Sequence, residues 1–303
     1  MTNETPSVYV VKVDVSIAPK MKADLIEQGF ECSKPPYTVF SAKKKGVSCT
    51  LYESGKLTVQ GKDMRQFIEF YLEPEVLKSF SFTYKELDID KTPRIGVDET
   101  GKGDYFGPLC IAAVFAGNDD VVKLHEIGVT DSKKLTDPKA IAIGKKIQSQ
   151  FQYHIVKINP AKYNEMYAKF KNLNRLLAWG HATVIKKLAE LTQCNEVILD
   201  QFGDESLVIN ALGPHFQSLK LTQRHKGEED IVVAAASILA RKTFLEGMAQ
   251  LSQEMQMELP KGASKQVVQA AKKLYERDGR EGLAKAAKLH FKTTIEVIEG
   301  KQS

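Results

Sequence analysis

From Arg94 onward the chain alternates short apolar runs with longer amphipathic ones, and this alternation restricts it to a layered fold. Arg94-Ile95-Gly96-Val97, residues 109–115, residues 153–158 and Glu196-Val197-Ile198-Leu199 have the length and apolar content of strands. Residues 138–151, 174–193 and the alanine-rich 231–250 read as helices, and two last helices are expected over 264–278 and 279–287. Apolar strands need helices to cover them, so this part predicts an α/β domain.

The first part reads differently. Residues 8–15 and 47–60 are rich in β-branched and aromatic types, and Glu53-Ser54-Gly55-Lys56 reads as a hairpin turn. Short helices are expected over 19–28, stopped by Gly29, and over 63–72, with Asp63 as the cap. A polar stretch closed by Pro93 separates the two patterns. The organisation predicted is therefore a small α+β domain over 1–82, a linker over 83–93 and a larger domain over 94–303, within the 303 residues of the chain.

Of 43 basic and 38 acidic side chains, residues 1–90 hold 12 and 13, which leaves 31 against 25 for the remainder. The positive excess lies in the second part and suits an anionic partner such as a phosphate backbone. No apolar run reaches the roughly 18 residues of a membrane span, and no secretory leader is visible, so a cytoplasmic protein is expected. Cys32, Cys49, Cys110 and Cys194 are isolated in sequence, which argues against a zinc site and for buried free thiols.

Asp98 and Glu99 end an otherwise apolar strand and are followed at once by Gly101 and Gly103. Two neighbouring carboxylates at a strand end repel each other, and a divalent cation relieves that repulsion; an acidic, solvated turn is the plainer alternative. The apolar run Val197-Ile198-Leu199 likewise ends in Asp200. Lys226-Gly227-Glu228-Glu229-Asp230 then places three acids before the helix at 231–250, where they are metal ligands or ordinary caps. Gly101-Lys102-Gly103 lets backbone approach a substrate closely, although the P-loop spacing is absent. Asp131-Ser132-Lys133-Lys134-Leu135 offers phosphate contacts or a solvated turn. Lys43-Lys44-Lys45 reads as a solvated loop, Trp179 as core, and His181 as a packed or partly exposed polar residue.

These segments occur in one order: Asp98-Glu99-Thr100-Gly101-Lys102-Gly103-Asp104 with Phe106-Gly107-Pro108, then Asp131 to Leu135, Asp200-Gln201-Phe202 and the helix from Ala234 to Arg241. With Lys261-Gly262-Ala263 and His290-Phe291-Lys292 they resemble the type 2 ribonucleases H over most of residues 94–294. The Gly-Lys-Gly form, where HII relatives have Gly-Arg-Gly, and the additional N-terminal domain resemble the bacterial HIII subclass.

The resemblance implies a ribonuclease H-like mixed sheet with flanking helices, preceded by a small α+β domain like the TATA-binding protein that grips the substrate. It implies an endonuclease that cuts the RNA strand of an RNA–DNA hybrid with two divalent cations, magnesium or manganese. The metal-holding acids fall on Asp98, Glu99, Asp200 and Glu228, with Glu229 and Asp230 as alternatives one or two residues on. Substrate contacts fall on Gly101, Lys102 and Gly103, which read the ribose 2′-hydroxyl, and on Ser132, Lys133, Asn172 and Asn174; the asparagines could equally cap a helix. A monomer with no organic cofactor and no membrane association is expected. A junction resolvase on the same fold and a non-catalytic nucleic-acid-binding protein are the competing readings.

Overall fold

The computed structural model describes residues 8–78, 82 and 89–300, and the chain divides into two compact units, Met1–Ile89 and Asp90–Ser303. Residues 83–88 of the expected linker lie outside the described residues.

The first unit comprises β1 (Val8–Lys12), α1 (Ala18–Glu27), β2 (Glu31–Ser33), β3 (Thr38–Lys44), β4 (Val47–Tyr52), β5 (Lys56–Gln60) and the short α2 (Met64–Phe67), which widens into a π-helical stretch, Ile68–Leu77. Its sheet is antiparallel throughout, in the order β1-β5-β4-β3-β2. Strand alternation sends Phe40, Ala42, Cys49, Leu51, Leu57 and Val59 into one core with Met21, Leu25, Ile68 and Leu72 from the helices. In register on the other side run Ser33, Ser41, Thr50 and Thr58.

β1 stops at Lys12, because Asp14 caps a 3₁₀ turn over Val15–Ile17. Asp63 makes no side-chain cap, and the widened helix carries Pro74, which lacks an N–H to donate. The end of β3 is polar, which hides it in the sequence pattern: Lys43 and Lys44 belong to the strand rather than a loop, and Lys44 Nζ donates to the Gln28 carbonyl at 2.8 Å. All four cysteines are free; Cys49, Cys110 and Cys194 are buried, while Cys32 on the edge strand β2 is only partly so.

The second unit runs β6 (Arg94–Thr100), β7 (Leu109–Ala116), α3 (Asp119–Glu126), α4 (Asp137–Gln150), β8 (Gln152–Ile158), α5 (Pro160–Phe170), α6 (Leu173–Thr192), β9 (Glu196–Asp200), α7 (Glu205–Leu212), β10 (Lys220–Arg224), α8 (Ile231–Glu254), α9 (Lys265–Ala286) and α10 (Lys292–Glu299). The sheet order is β10-β9-β6-β7-β8; β10, β9 and β6 are parallel, and β7 and β8 run antiparallel to their neighbours. This is the expected α/β mixed sheet with flanking helices. Gly279, at φ 64°, breaks α9 where two separate helices were expected.

Alternation along β6 decides the layers. Ile95 and Val97 enter the core shared with α6, including Leu177, Val184 and Ile185. Gly96 faces the other way, onto α8, and a Cβ there would stand 2.3 Å from the Val232 carbonyl carbon and 2.4 Å from the Val233 nitrogen. Those are backbone atoms, so the strand and helix can approach this closely only over glycine. Gly96→Ala is expected to cost about 1–3 kcal/mol, as overpacking of a tight contact does; a denaturant midpoint equal to that of the wild type would contradict the contact.

Candidate active site

The parallel pairing of β6 and β9 sets Val97 opposite Leu199, so the next residues, Asp98 on β6 and Asp200 at the end of β9, emerge at the same sheet edge. A cleft of about 490 Å³ opens there, lined by Asp98, Glu99, Asp200 and Glu228 together with the turn from Thr100 to Gly103, Asp131 to Lys133, Ser237 and Arg241.

The two adjacent acids are separated by the pleat. Asp98 shares the α8 side of the strand with Gly96, accepts the Glu99 N–H at 2.7 Å on Oδ1 and bonds the Ser237 hydroxyl of α8. Ser237 in turn bonds Ser132 at 2.8 Å, tying the loop at 131–135 to the same helix. Glu99 points to the α6 side, where His181 Nε2 lies 3.0 Å from Oε2; Lys102 Nζ donates to Oε1 at 2.6 Å. Burial, and after it the charges of Glu99 and Asp200, push the Asp98 carboxyl up to about 7. Burial also pushes Glu99 upward, but the His181 hydrogen bond and the Lys102 ammonium outweigh it, and the carboxyl is held low.

Asp200 Oδ1 accepts the Gly227 N–H at 2.8 Å. A Cβ on Gly227 would sit 2.7 Å from the Asp200 Cα, so glycine lets the turn at 226–228 lie against the strand end and deliver Glu228 beside Asp200. Glu228 Oε1 is 3.1 Å from Lys133 Nζ. Of the two alternatives, Glu229 is exposed and pairs with Lys226 at 3.7 Å. Asp230 caps α8 through Val232 N and Val233 N, at 2.8 and 3.3 Å, and takes Arg94 Nε on its other oxygen at 2.8 Å. Neither of them lines the cleft.

Gly101, at φ 98°, has no room for a side chain, because a Cβ would lie 2.3 Å from the Pro108 carbonyl oxygen. A Cβ on Gly103 would meet nothing within 4 Å, so packing within the protein does not require glycine there. The turn is braced from behind by buried Lys288, whose Nζ donates to the carbonyls of Asp104, Phe106 and Gly107 at 2.8, 3.3 and 2.6 Å. Ser132 lines the cleft but is buried, and its hydroxyl is engaged with Ser237; Lys133 is exposed. Asn172 and Asn174 stand outside the cleft lining: Asn172 caps α6 through Arg175 N at 3.2 Å, and Asn174 lies against Gly203.

His181 is wholly buried, while Trp179, expected in the core, is 37% exposed on the other side of α6 beside Phe170. The connections from His181 to Glu99, Ser237 to Asp98 and Arg94 to Asp230 were not read from the sequence, since each joins residues more than 80 positions apart. A single local signal pointed toward one of them: Asp230 directly precedes a helix and so is a capping candidate.

Among the described residues no three His, Cys, Asp or Glu side chains are close enough together, as they stand, to hold a metal ion, and two of the four acids are paired with lysines. The donor set nonetheless fits a hard divalent cation: all four groups are carboxylates, they face one cleft, and Asp98, raised first by burial and then by the charges of Glu99 and Asp200, stands where added positive charge would favour its ionised form.

A family model described as Ribonuclease HII matches residues 95–294. The chain belongs to the ribonuclease HII family. Among the relatives of this ribonuclease HII member, Ribonuclease HIII of Protochlamydia amoebophila is 53% identical over 293 residues, covering 97% of each chain, and that of Chlamydia felis is 46% identical over 295, covering 96% of this chain and 97% of the other. These matches place it in the HIII group. A crystal structure of Bst-RNase HIII in complex with Mn²⁺ superposes with a TM-score of 0.67 at 28% identity, covering 97% of this chain and 98% of that one. Residues 8–83 match a second model, described as a domain of unknown function, DUF3378.

Proposed function

We propose that this cleft hydrolyses the RNA strand of RNA–DNA hybrids, with two divalent cations, magnesium or manganese, held by Asp98, Glu99, Asp200 and Glu228, leaving 5′-phosphate and 3′-hydroxyl ends. The observation that carries the reading is the convergence of three carboxylates from β6 and β9 with Glu228 in one cleft whose rim is the Gly101–Lys102–Gly103 turn. Membership of the ribonuclease HII family supports it, as does the Mn²⁺ bound in the Bst-RNase HIII structure.

Divalent cations bound there supply the charge that lowers the pKa of an attacking water and stabilises a departing oxygen. The protein groups hold the donors in place: Ser237 and the Glu99 N–H fix Asp98, and the Gly227 N–H fixes Asp200. Lys102 and Lys133 bring exposed ammonium groups to the cleft as partners for the scissile and neighbouring phosphates. The space left at Gly103 admits a ribose against the backbone, where a 2′-hydroxyl can be read. Asn172 and Asn174 are proposed as contacts to the DNA strand beyond the cleft, and the first unit as a second grip on the hybrid.

The four acids all belong to the second unit of this chain, so the proposed site does not call for a second copy; a monomer acting without an organic cofactor is proposed with it. No helix among the described residues is long and apolar enough to cross a membrane, and the four free thiols suit a reducing compartment; we place the enzyme in the cytoplasm.

Hybrid cleavage is expected to cease in EDTA and to return when Mn²⁺ or Mg²⁺ is supplied in excess. Cleavage that persists after exhaustive chelation would refute the role given to the acids.

A further inference from the structure

The two oxygens of Glu99 are held in unlike ways. Oε2 meets His181 Nε2 at 3.0 Å, with both side chains almost wholly buried, at 0% and 2% exposure. Oε1 meets Lys102 Nζ at 2.6 Å, from a lysine side chain that is 48% exposed and stands in the glycine turn at the cleft rim. The His181 ring packs against Phe202, with centroids 4.6 Å apart, and its Nδ1 is buried without a hydrogen-bond partner. A proton on Nδ1 would be stranded there, so the ring proton belongs on Nε2 and is donated to Glu99.

We infer that His181 and Lys102 divide Glu99 between them: the buried imidazole fixes Oε2 permanently, and the exposed ammonium covers Oε1 until a divalent cation takes that oxygen. The inference rests on the reading of Glu99 as a metal ligand. Giving up the His181 contact would leave an N–H unsatisfied inside the protein, whereas the Lys102 ammonium is half-exposed and can be rehydrated while an incoming cation replaces its charge at the buried Glu99 oxygen. Lys102 can retract, since its flexible stem lets the ammonium return to water or to a substrate phosphate. His181 is thus a positioning residue that orients one ligand oxygen toward the cleft, and Lys102 is a competitor for the same oxygen. Orienting partners of metal ligands commonly contribute ten- to a hundredfold in affinity.

The two residues should therefore change metal affinity in opposite directions, which general damage to the site would not do. Titration of the full chain with Mn²⁺ alone, by calorimetry, is expected to show His181→Leu binding about tenfold more weakly. His181→Gln, which keeps an N–H donor on a side chain of similar reach, should stay near the wild type, and Lys102→Met should bind several-fold more tightly. Lys134→Met removes an equal charge from a lysine that pairs with Asp131 at 4.0 Å rather than with Glu99, and should leave Mn²⁺ affinity unchanged.

Thermal melts without metal establish that each variant is folded; should His181→Leu fail to fold, His181→Gln and Lys102→Met still decide. Unchanged affinity in His181→Leu, weakening in a folded His181→Gln, or equal or weaker binding in Lys102→Met would overturn the inference. Loss of Mn²⁺ binding in Asp98→Asn alongside any of those results confines the failure to this inference. If Asp98→Asn binds Mn²⁺ as the wild type does, the metal-site reading falls and takes the inference with it.

Discussion

Asp98→Asn is expected to lower hybrid hydrolysis by about three orders of magnitude or more, the scale of removing a central member of a catalytic set. The amide has the shape of the carboxylate and can still accept the Glu99 N–H and bond Ser237, so the geometry of the strand end survives. What is lost is the charge that holds a cation. Hybrid affinity measured in EDTA should stay within about a factor of two of the wild type, since Asp98 contributes no positive charge to phosphate binding. Substantial turnover by the variant would remove Asp98 from the reaction.

The same variant should melt higher than the wild type when no metal is present. The Asp98 carboxyl is raised by burial and by its acidic neighbours from 3.8 to about 7, so in the folded protein it resists ionisation. The unfolded chain releases this proton near pH 4 and the folded one near pH 7, so the group costs stability as pH rises through that window, and the cost is complete above it. The gain from Asn is therefore largest above pH 7 and disappears toward pH 4. A midpoint difference that grows as pH falls would have the wrong sign.

The second large effect is expected at Arg94→Met, which should cost about 3–5 kcal/mol, the penalty for removing one partner of a buried ion pair. Arg94 and Asp230 are 5% and 6% exposed as side chains and meet at 2.8 Å, joining the first residue of β6 to the cap of α8. Arg94 also donates to the carbonyls of Asp90 and Thr92, at 3.0 and 2.8 Å. Methionine fills much of the volume but leaves the Asp230 carboxylate buried with one oxygen unpaired. Adding Asp230→Asn, which can keep the helix cap without the charge, should restore part of the loss. Activity should fall with stability, because Glu228 lies two residues before Asp230 on the same turn. A single variant within about 1 kcal/mol of the wild type in urea would show that the pair is not structural.

What could be read from the sequence was local. Val197-Ile198-Leu199 followed by Asp200, and Ile95-Gly96-Val97 followed by Asp98, each announce a buried strand with an acid at its tip, because apolar run and acid are neighbours in the chain. β10, by contrast, carries little signal in the sequence: Lys220-Leu221-Thr222-Gln223-Arg224 alternates as an edge strand does but is mostly polar, and its pairing with β9 supplies the order that its composition does not. α3, α5, α7 and α10 also escaped the sequence pattern, being short or largely polar.

The site shows the same division. Asp98, Glu99 and Asp200 stand out one by one, whereas the choice among Glu228, Glu229 and Asp230 depends on which way a three-residue turn faces. The structure sends Glu228 to the cleft because Gly227 lies against Asp200 and Arg94 claims Asp230. His181 was invisible as a partner of Glu99, since the contact exists only once α6 crosses β6.

On this reading the cleft selects and cuts RNA paired to DNA. Incubating the wild-type chain with Mn²⁺ and, side by side, a continuous RNA–DNA hybrid, the same sequence as duplex DNA, and duplex DNA carrying one ribonucleotide tests it most directly, with the ends of the products mapped. Rapid cleavage of the RNA strand of the hybrid, new 5′-phosphate and 3′-hydroxyl ends, and an intact DNA duplex are expected. Cleavage of duplex DNA at a rate comparable to the hybrid, or an intact hybrid in the presence of metal, would rule out a hybrid-selective nuclease.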